Sequence, residues 1–247
     1  MPIPPLPEQH AIADALNDVD SLITSLDNLI AKKRDIKQAT MQQLLTGKMR
    51  LPGFSEEWEA KKLGERCEFY SGGTPNTSIT SYYGGSISWI TSSDLNKGRI
   101  KEVEGRITKQ GFENSSAQMV KKGTLLLALY GATAGVAAIT EVDAAINQAV
   151  LAIIPHKDNP EFLFQKLTLL KDWLIKTYTQ GGQPNLSGQI VKSIELSLPS
   201  KEEQTAIATV LSDMDAEIAA LEQKRDKTSV LKQGMMQELL TGKTRLL

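Results

Sequence analysis

Cysteine and histidine are scarce in this sequence, and their scarcity excludes several kinds of site. The 247 residues include one cysteine, Cys67, so no internal disulfide framework can form and we expect a reducing compartment, the cytoplasm. The two histidines, His10 and His156, lie far apart and outside any metal-ligand spacing. We therefore expect no metal and no cofactor.

No stretch of the chain reads as a secretory signal or a membrane span. The chain opens Met-Pro-Ile-Pro-Pro, without the basic and apolar regions of a signal peptide. Residues 123–140 carry no charge, but Gly131 and Gly135 interrupt them, and a span usually needs about 20 apolar residues. We predict two buried strands here, 125–130 and 136–140, and no contact with a membrane.

Motifs for catalysis are missing as well. Methyl transfer to an adenine amino group would need Asn or Asp before Pro-Pro and an aromatic residue, whereas Pro4-Pro5 is followed by Leu6. Thr241-Gly242-Lys243-Thr244 is similar to the end of a P-loop, but Gln237 occupies the position of the first glycine. The sequence therefore favours a protein that is not an enzyme.

Charge is close to balanced, which does not by itself indicate nucleic-acid binding. The net charge is −1 and the pI is near 6.2. Residues 97–122 nevertheless contain seven bases against three acids. Taken alone, such a cluster is more often a solvated face than a binding surface.

The most informative feature that is present is an internal repeat. Residues 3–51 align without a gap with residues 198–246, and 23 of the 49 positions are identical. Two copies are too few for a solenoid, which needs at least about three stacked repeats. The repeat therefore predicts a pair of like elements that contact each other.

Each copy predicts one long amphipathic helix. Residues 8–46 contain neither proline nor glycine and would span roughly 58 Å as a helix. Apolar residues recur at alternating steps of four and three, which is a heptad seam. We predict that the seam pairs the helices and serves partner binding through Ile12, Leu16, Val19, Ile23 and Leu26 in the first copy and Ile207, Leu211, Met214, Ile218 and Leu221 in the second.

The charge pattern predicts how the two helices are oriented. In both copies acidic residues come first and basic residues later, in agreement with the helix dipole. An antiparallel pair sets each acidic half against a basic half, whereas a parallel pair would oppose like charges. We therefore predict an antiparallel two-helix stalk, with an apolar flank (Leu22, Leu29, Met41 and Leu44) left for docking another protein. The alternative is that the helices simply cover the middle of the chain.

The middle of the chain mixes strand and helix patterns. Besides the two strands above, strands are predicted at 67–70, 87–91 and 149–154, a helix at 162–179, an amphipathic entry at 58–63 and extended chain at 190–198. The predicted class is α+β, a mixed α/β domain with a coiled-coil stalk. The predicted division is 1–51 (first helical region), 52–197 (mixed domain) and 198–247 (second helical region).

Several motifs in this order resemble a known family. They are Ser71-Gly72-Gly73-Thr74-Pro75, Ile87-Ser88-Trp89-Ile90, Ser93-Asp94-Leu95, Lys122-Gly123-Thr124-Leu125-Leu126 and Ala145-Ile146-Asn147-Gln148-Ala149. Together with the closing Leu198-Pro199…Glu203-Gln204…Ile207-Ala208, they resemble one target recognition domain of a type I restriction–modification specificity subunit. The resemblance extends over essentially the whole chain.

The resemblance implies a non-catalytic subunit that reads double-stranded DNA. In that family, two recognition domains alternate with two helices, each domain reads half of a bipartite site, and the helices dock methyltransferase subunits and, through them, the restriction subunit. This chain starts at the first helix, so we expect a single half-site reader. Two copies forming a homodimer would then read a palindromic interrupted site, as symmetry requires.

Polar loops of the middle domain are the expected DNA contacts, since hydroxyl, amide and charged groups read base edges and bind phosphate. The predicted contacts are Ser71, Gly73, Thr74, Asn76, Tyr82, Tyr83, Ser92, Ser93, Asp94, Lys97, Arg99, Tyr130, Thr133, Gln183, Asn185 and Ser187. Two alternatives stay open: a coiled-coil scaffold that binds protein, and a truncated or silent specificity cassette without recognition of its own.

Overall fold

The computed structural model describes residues 3–178 and 185–246. Within them the chain divides into two compact units. One contains residues 3–40 and 210–246 and is called here the helix pair; the other, Met41–Thr209, is called the globular unit. The last turn of the first long helix and the first turns of the second therefore belong to the globular unit, inside the helical regions that the repeat defines.

Six helices and eleven strands are assigned in the described residues. In chain order they are α1 (Leu6–Leu44), β1 (Glu59–Lys62), α2 (Leu63–Arg66), β2 (Cys67–Ser71), β3 (Tyr83–Ile90), β4 (Arg99–Ile100), β5 (Arg106–Ile107), α3 (Lys109–Glu113), β6 (Gln118–Val120), β7 (Leu125–Ala128), β8 (Ala137–Thr140), β9 (Ala144–Ile146), β10 (Val150–Pro155), α4 (Pro160–Tyr178), α5 (Gly188–Ser193), β11 (Glu195–Leu198) and α6 (Lys201–Leu239). Three short 3-10 turns lie at Thr80–Tyr82, Ser92–Lys97 and Gly131–Thr133.

The repeat is visible as two helices of equal length that end in the same way. α1 and α6 each contain 39 residues. Gly47 and Gly242 follow them with φ of 73° and 72°, a left-handed conformation that glycine adopts without steric cost. Each glycine donates its backbone N–H to a carbonyl three residues back, at 3.3 Å in both copies. The sequence therefore builds one capped helix twice.

Ion pairs between α1 and α6 confirm the antiparallel orientation. Lys232 donates to both carboxylate oxygens of Asp20 at 2.6 Å, and Lys37 donates to Asp215 at 2.5 Å. As the position on α1 advances from 20 to 37, its partner on α6 therefore falls from 232 to 215. Further pairs between them join Asp27 to Arg225, Lys33 to Glu217 and Arg34 to Glu222. In each pair the basic residue lies closer to the C-terminus of its helix than the acidic residue does to the C-terminus of the other helix.

None of the ten predicted seam residues is exposed. Ile12 and Leu26 are 5% exposed on α1, and Ile207 and Leu211 are fully buried on α6. Of the other six, Ile218 is buried and five are half-buried. Hydrophobic burial along one stripe is therefore the main stabilising contribution, because exposed ion pairs are individually worth about 0–1 kcal/mol.

Three sheets make up the β-structure of the globular unit. The largest has the strand order β2-β10-β7-β8-β4, the second β5-β3-β9-β6, and the smallest pairs β1 with β11. All neighbours are antiparallel except β4 with β8 and β3 with β9, so the sheets are mixed. Ile90, Leu126 and Ile146 are fully buried in one core cluster that both larger sheets share.

Two expectations from the sequence are wrong, and a third is made specific. The amphipathic entry at 58–63 contains strand β1 and leads into the single turn of α2, whereas 190–198, expected to be extended, begin in helix α5 before strand β11. The helix starts there because the Ser187 side chain accepts the backbone N–H of Ile190 at 3.2 Å as an N-cap. On the predicted docking flank, Met41 and Leu44 are buried in the globular unit at 4% and 1% exposure, so they are not available to a partner.

Buried polar groups attach the helix ends to the globular unit. Arg66 binds both oxygens of Asp158, at 2.8 and 2.6 Å, and Gln204 in the first turns of α6 donates to the same carboxylate at 2.8 Å. Burial opposes ionisation of Asp158, but the hydrogen bonds from Arg66 and Gln204 outweigh it and lower the pKa of this carboxyl. Nearby, the buried ammonium of Lys166 donates to the Leu45 carbonyl just after α1.

No helix in the described ranges is both long enough and apolar enough to cross a bilayer.

Exchanging the two members of an interhelical ion pair tests the orientation of the helix pair. We expect Asp20→Lys alone and Lys232→Asp alone each to lower the free energy of unfolding, because each opposes like charges. The double exchange should recover about 0.2–1 kcal/mol relative to the sum of the singles. Urea denaturation measures the free energy of unfolding of each variant, and Asp18→Lys, at an exposed position of the same helix, is the control. Strictly additive effects would contradict the pairing.

The buried amine of Lys166 should make stability depend on pH. Burial lowers the pKa of Lys166 from 10.5 to about 8, so the unfolded chain holds this proton at pH values where the folded chain has released it. Stability from this site is lowest when the amine is charged and rises between about pH 8 and pH 10.5. Relative to Lys166→Met, the wild type should gain about 1–3 kcal/mol across that range.

Urea denaturation at pH 7 and pH 10 measures the difference between these two proteins. Lys176→Met, which changes an exposed lysine of the same helix, is the control. Equal differences at both pH values would contradict the assignment.

Candidate nucleic-acid interface

Four of the predicted contact loops converge on one edge of the five-stranded sheet. Ser71 at the end of β2 pairs with Leu151, and Val150 at the start of β10 pairs with Ala128 at the end of β7. The β7–β8 connection turns at this edge, and the Ser92–Lys97 turn approaches it because β4 runs parallel to β8. We call this the loop edge. The contacts of Arg66 and Asp158 lie beyond the opposite ends of β2 and β10.

The first loop, residues 71–76, is held by close backbone contacts. Gly72 and Gly73 donate their backbone N–H groups to the carbonyls of Asn147 and Ile146, both at 3.2 Å. Trp89 donates its indole N–H to the Gly73 carbonyl at 3.3 Å. A Cβ on Gly72 would lie 1.8 Å from the Ile146 carbonyl oxygen, so only glycine permits this approach.

Side chains of the first loop form fixed turns. The Thr74 hydroxyl donates to Oε1 of Gln148 at 2.6 Å. Asn76 accepts the backbone N–H of Ser78 through its side-chain oxygen at 3.0 Å, which is an Asx turn. Tyr83, also among the predicted DNA contacts, donates its hydroxyl to the Pro75 carbonyl at 2.6 Å and so stabilises the loop. Tyr82 belongs with the four-stranded sheet, where its carbonyl accepts the Thr108 N–H at 2.9 Å.

The Ser92–Lys97 turn carries its own cap. Asp94 accepts the backbone N–H of Thr91 at 2.9 Å and its hydroxyl at 3.0 Å, and the Thr91 hydroxyl also lies 2.9 Å from that of Ser93. Ser93 is exposed and Ser92 half-buried. The carboxylate of Asp94 therefore stabilises the turn, while the serines lie at its surface.

Four of the seven bases in residues 97–122 form ion pairs within the globular unit. Arg99 binds both oxygens of Glu161, at 3.0 and 2.7 Å, and stacks 5.9 Å from the Phe164 ring centroid. The Lys97 ammonium donates to the Glu102 carbonyl at 3.1 Å. Elsewhere in the cluster Lys109 pairs with Glu113, and Lys121 pairs with Asp143, whose hydrogen bond raises the pKa of Lys121. The other three bases, Lys101, Arg106 and Lys122, are exposed and form no ion pair with a described residue; Arg106 donates to the Ser88 hydroxyl at 2.6 Å.

The third and fourth loops contact each other. Tyr130, 40% exposed, forms an isolated antiparallel bridge with Asn185, and Leu186 donates its N–H to the Leu129 carbonyl at 2.8 Å. Thr133 donates its hydroxyl to the Tyr130 carbonyl at 3.3 Å. Ser187 ends the fourth loop and is the N-cap of α5. The predicted contact Gln183 lies outside the described residues.

One exposed side chain at this edge was missed by the loop-composition argument. Gln148 is the second of the three residues between β9 and β10, and it contacts Thr74 of the first loop. It belongs to Ala145-Ile146-Asn147-Gln148-Ala149, one of the motifs that carry the family resemblance. Among the described residues no group of three or more His, Cys, Asp or Glu could hold a metal ion.

Comparisons with known proteins agree with this architecture. Residues 55–229 match the family described as the type I restriction modification DNA specificity domain. The type I restriction enzyme MjaIX specificity subunit of Methanocaldococcus jannaschii is 35% identical over 183 residues, 71% of this chain and 41% of that protein. The MjaVIII specificity subunit of the same organism is 27% identical over 266 residues, covering 100% of this chain and 62% of that protein. The chain belongs to this family of specificity domains.

Two solved structures share the fold. The HsdS subunit from Thermoanaerobacter tengcongensis has a TM-score of 0.61 at 20% identity, over 97% of this chain and 59% of that one. The type I restriction-modification system S subunit from M. genitalium has a TM-score of 0.64 at 17% identity, over 95% and 61%. The chain thus spans about 60% of the length of the solved subunits that it matches.

Adding a methyl group at Gly72 tests how rigidly the first loop is held. Because the new Cβ would overlap the Ile146 carbonyl, we expect Gly72→Ala to cost about 1–3 kcal/mol in the free energy of unfolding. Gly188→Ala, whose Cβ would meet only a Leu151 methyl at 3.9 Å, should stay within about 0.5 kcal/mol of wild type. Chemical denaturation of both variants gives the comparison, and equal losses would contradict the close approach.

Proposed function

We propose that this chain is a non-catalytic DNA-recognition subunit of a type I restriction–modification complex. The loop edge of the globular unit reads one half-site of a double-stranded target. The observation that carries the proposal is the convergence of four polar loops on the edge opposite the helix attachments, in a chain that belongs to a family of DNA specificity domains.

The chemistry of the loop edge suits base reading better than phosphate binding. Ser92 and Ser93 carry hydroxyl groups and Gln148 carries an amide, and these groups can pair with base edges in the major groove. Arg99 and Lys97 are already bound to acceptors within the globular unit, and phosphate contacts normally supply most of the affinity for DNA. The chain alone therefore binds DNA weakly, and a partner supplies the missing phosphate contacts.

The helix pair supplies the docking surface for that partner. Leu22, Leu29 and Ile36 are 43%, 38% and 43% exposed and recur at intervals of seven residues along one stripe of α1. This heptad spacing suits packing against a further helix. We assign this stripe to the modification (methyltransferase) subunits, with the restriction subunit joining indirectly and the complex acting in the cytoplasm.

A second copy of the chain fits the far end of α6. Met236 and Leu240 are 39% and 55% exposed, whereas their repeat equivalents Met41 and Leu45 are 4% and 0% exposed inside the globular unit. The same apolar residues are thus covered in one copy of the repeat and uncovered in the other. A homodimer through the uncovered residues would present two identical readers, and its target would be a palindromic interrupted sequence.

Titrating DNA with and without a type I modification subunit from the same source tests this function. We expect at least a tenfold gain in affinity with the modification subunit present. Leu29→Glu should abolish that gain because it places a charge in the apolar stripe. Its exposed neighbour Asn28→Glu is the control and should preserve the gain. If the modification subunit does not raise the DNA affinity of the wild-type chain, the proposed function is contradicted.

The methylation pattern that the same complex produces on genomic DNA tests the homodimer. A palindromic interrupted site is the expected result. A single uninterrupted half-site would exclude a dimeric reader while leaving the recognition function intact.

A further inference from the structure

Gln148 is presented by one of the most tightly bonded turns of the loop edge. The preceding residue, Asn147, donates its backbone N–H to the Ile90 carbonyl at 3.1 Å, and its own carbonyl accepts from Gly72 at 3.2 Å. The Asn147 side-chain oxygen accepts the N–H of Ala149 at 3.1 Å. Val150, the first residue of β10, also donates its N–H to the Asn147 carbonyl at 3.3 Å. The turn is therefore bonded to the end of β3, to the first loop and to β10, and these bonds hold the backbone of Gln148 in one position.

The side chain of Gln148 is fixed at one atom and open at the others. The Thr74 hydroxyl occupies one lone pair of Oε1, at 2.6 Å, and this orients the amide. The second lone pair of Oε1 and both hydrogens of Nε2 form no hydrogen bond with residues 3–178 or 185–246, and the side chain is exposed. Such a group is preorganised: one donor and one acceptor are presented side by side, with little rotamer freedom left to lose.

Other polar side chains at this edge are committed differently. Asn76 uses its side-chain oxygen in an Asx turn, and Asp94 caps its own turn. In the major groove, a glutamine amide pairs with adenine, accepting from N6 and donating to N7, and no other base offers that pair of atoms. The free atoms of Gln148 match that pattern.

We propose that Gln148, oriented by Thr74, is a base-contacting residue that selects adenine at one position of the half-site. The inference rests on the proposed DNA-recognition function and assigns a chemical role that loop composition did not. Thr74 acts as a positioning residue, because its hydroxyl reaches the base only through Gln148.

Binding of the wild-type complex, with its modification subunit, to its mapped target provides the test. Duplexes carry adenine, 7-deaza-adenine or guanine at each adenine position of the half-site in turn. At one position, 7-deaza-adenine, which lacks N7, should weaken wild-type binding about tenfold or more. Gln148→Ala should bind the unmodified target as weakly and show no further loss with 7-deaza-adenine at that position.

Matched variants separate base contact from loop damage. Thr74→Val should lose part of the adenine preference, while Thr74→Ser, which keeps the hydroxyl, should retain it. Gln110→Ala, at another exposed glutamine of the globular unit, should behave as wild type. The slope of affinity against salt should not change in Gln148→Ala, because no phosphate contact is removed.

Two failures are distinguishable. If the wild-type complex shows no sequence preference on any duplex, the recognition function itself fails. If the wild type is selective and Gln148→Ala keeps the full adenine preference with unchanged thermal stability, the assignment of Gln148 is overturned and recognition stands.

Discussion

Antiparallel pairing of the repeated helices is the constraint on which the rest of the molecule depends. The repeat makes two ion pairs twice, since Arg50–Glu203 corresponds to Arg245–Glu8, and Lys37–Asp215 corresponds to Lys232–Asp20. A repeat of one helix can satisfy both members of such a set only when the copies run in opposite directions. The charge gradient along each copy therefore selects the orientation, and apolar burial along the seam stabilises it.

The globular unit has its buried polar contacts and its loop edge at opposite ends of the large sheet. At one end of its large sheet, buried Asp158 collects hydrogen bonds from Arg66 and Gln204, and buried Lys166 closes the end of α1. At the other end, short turns carry exposed hydroxyl and amide groups. Buried, fully bonded polar networks are rigid, because breaking one contact leaves an unpaired group in a medium of low polarity. Loops built on such a support can present side chains in defined positions.

Local bonding decides which residues of the basic cluster remain free. Arg99 follows the Ser92–Lys97 turn and has the composition of a phosphate contact, yet its guanidinium fork is filled by the Glu161 carboxylate from α4. Glu161 lies 62 positions further along the chain, so no local pattern could reveal the pairing. Gln148 is the opposite of Arg99. Its contact with Thr74, 74 positions earlier in the chain, orients the amide and leaves its other polar atoms open.

The sequence by itself determined the length, capping and orientation of the two long helices, because these follow from periodicity, glycine placement and charge order within the chain. It also determined most of the central strands and the family. Only the tertiary structure decided that 188–193 turn into a helix before β11, that Met41 and Leu44 are covered, and which polar side chains at the loop edge stay open. Those outcomes depend on contacts between residues distant in sequence, whose partners become known only when the strands are in register.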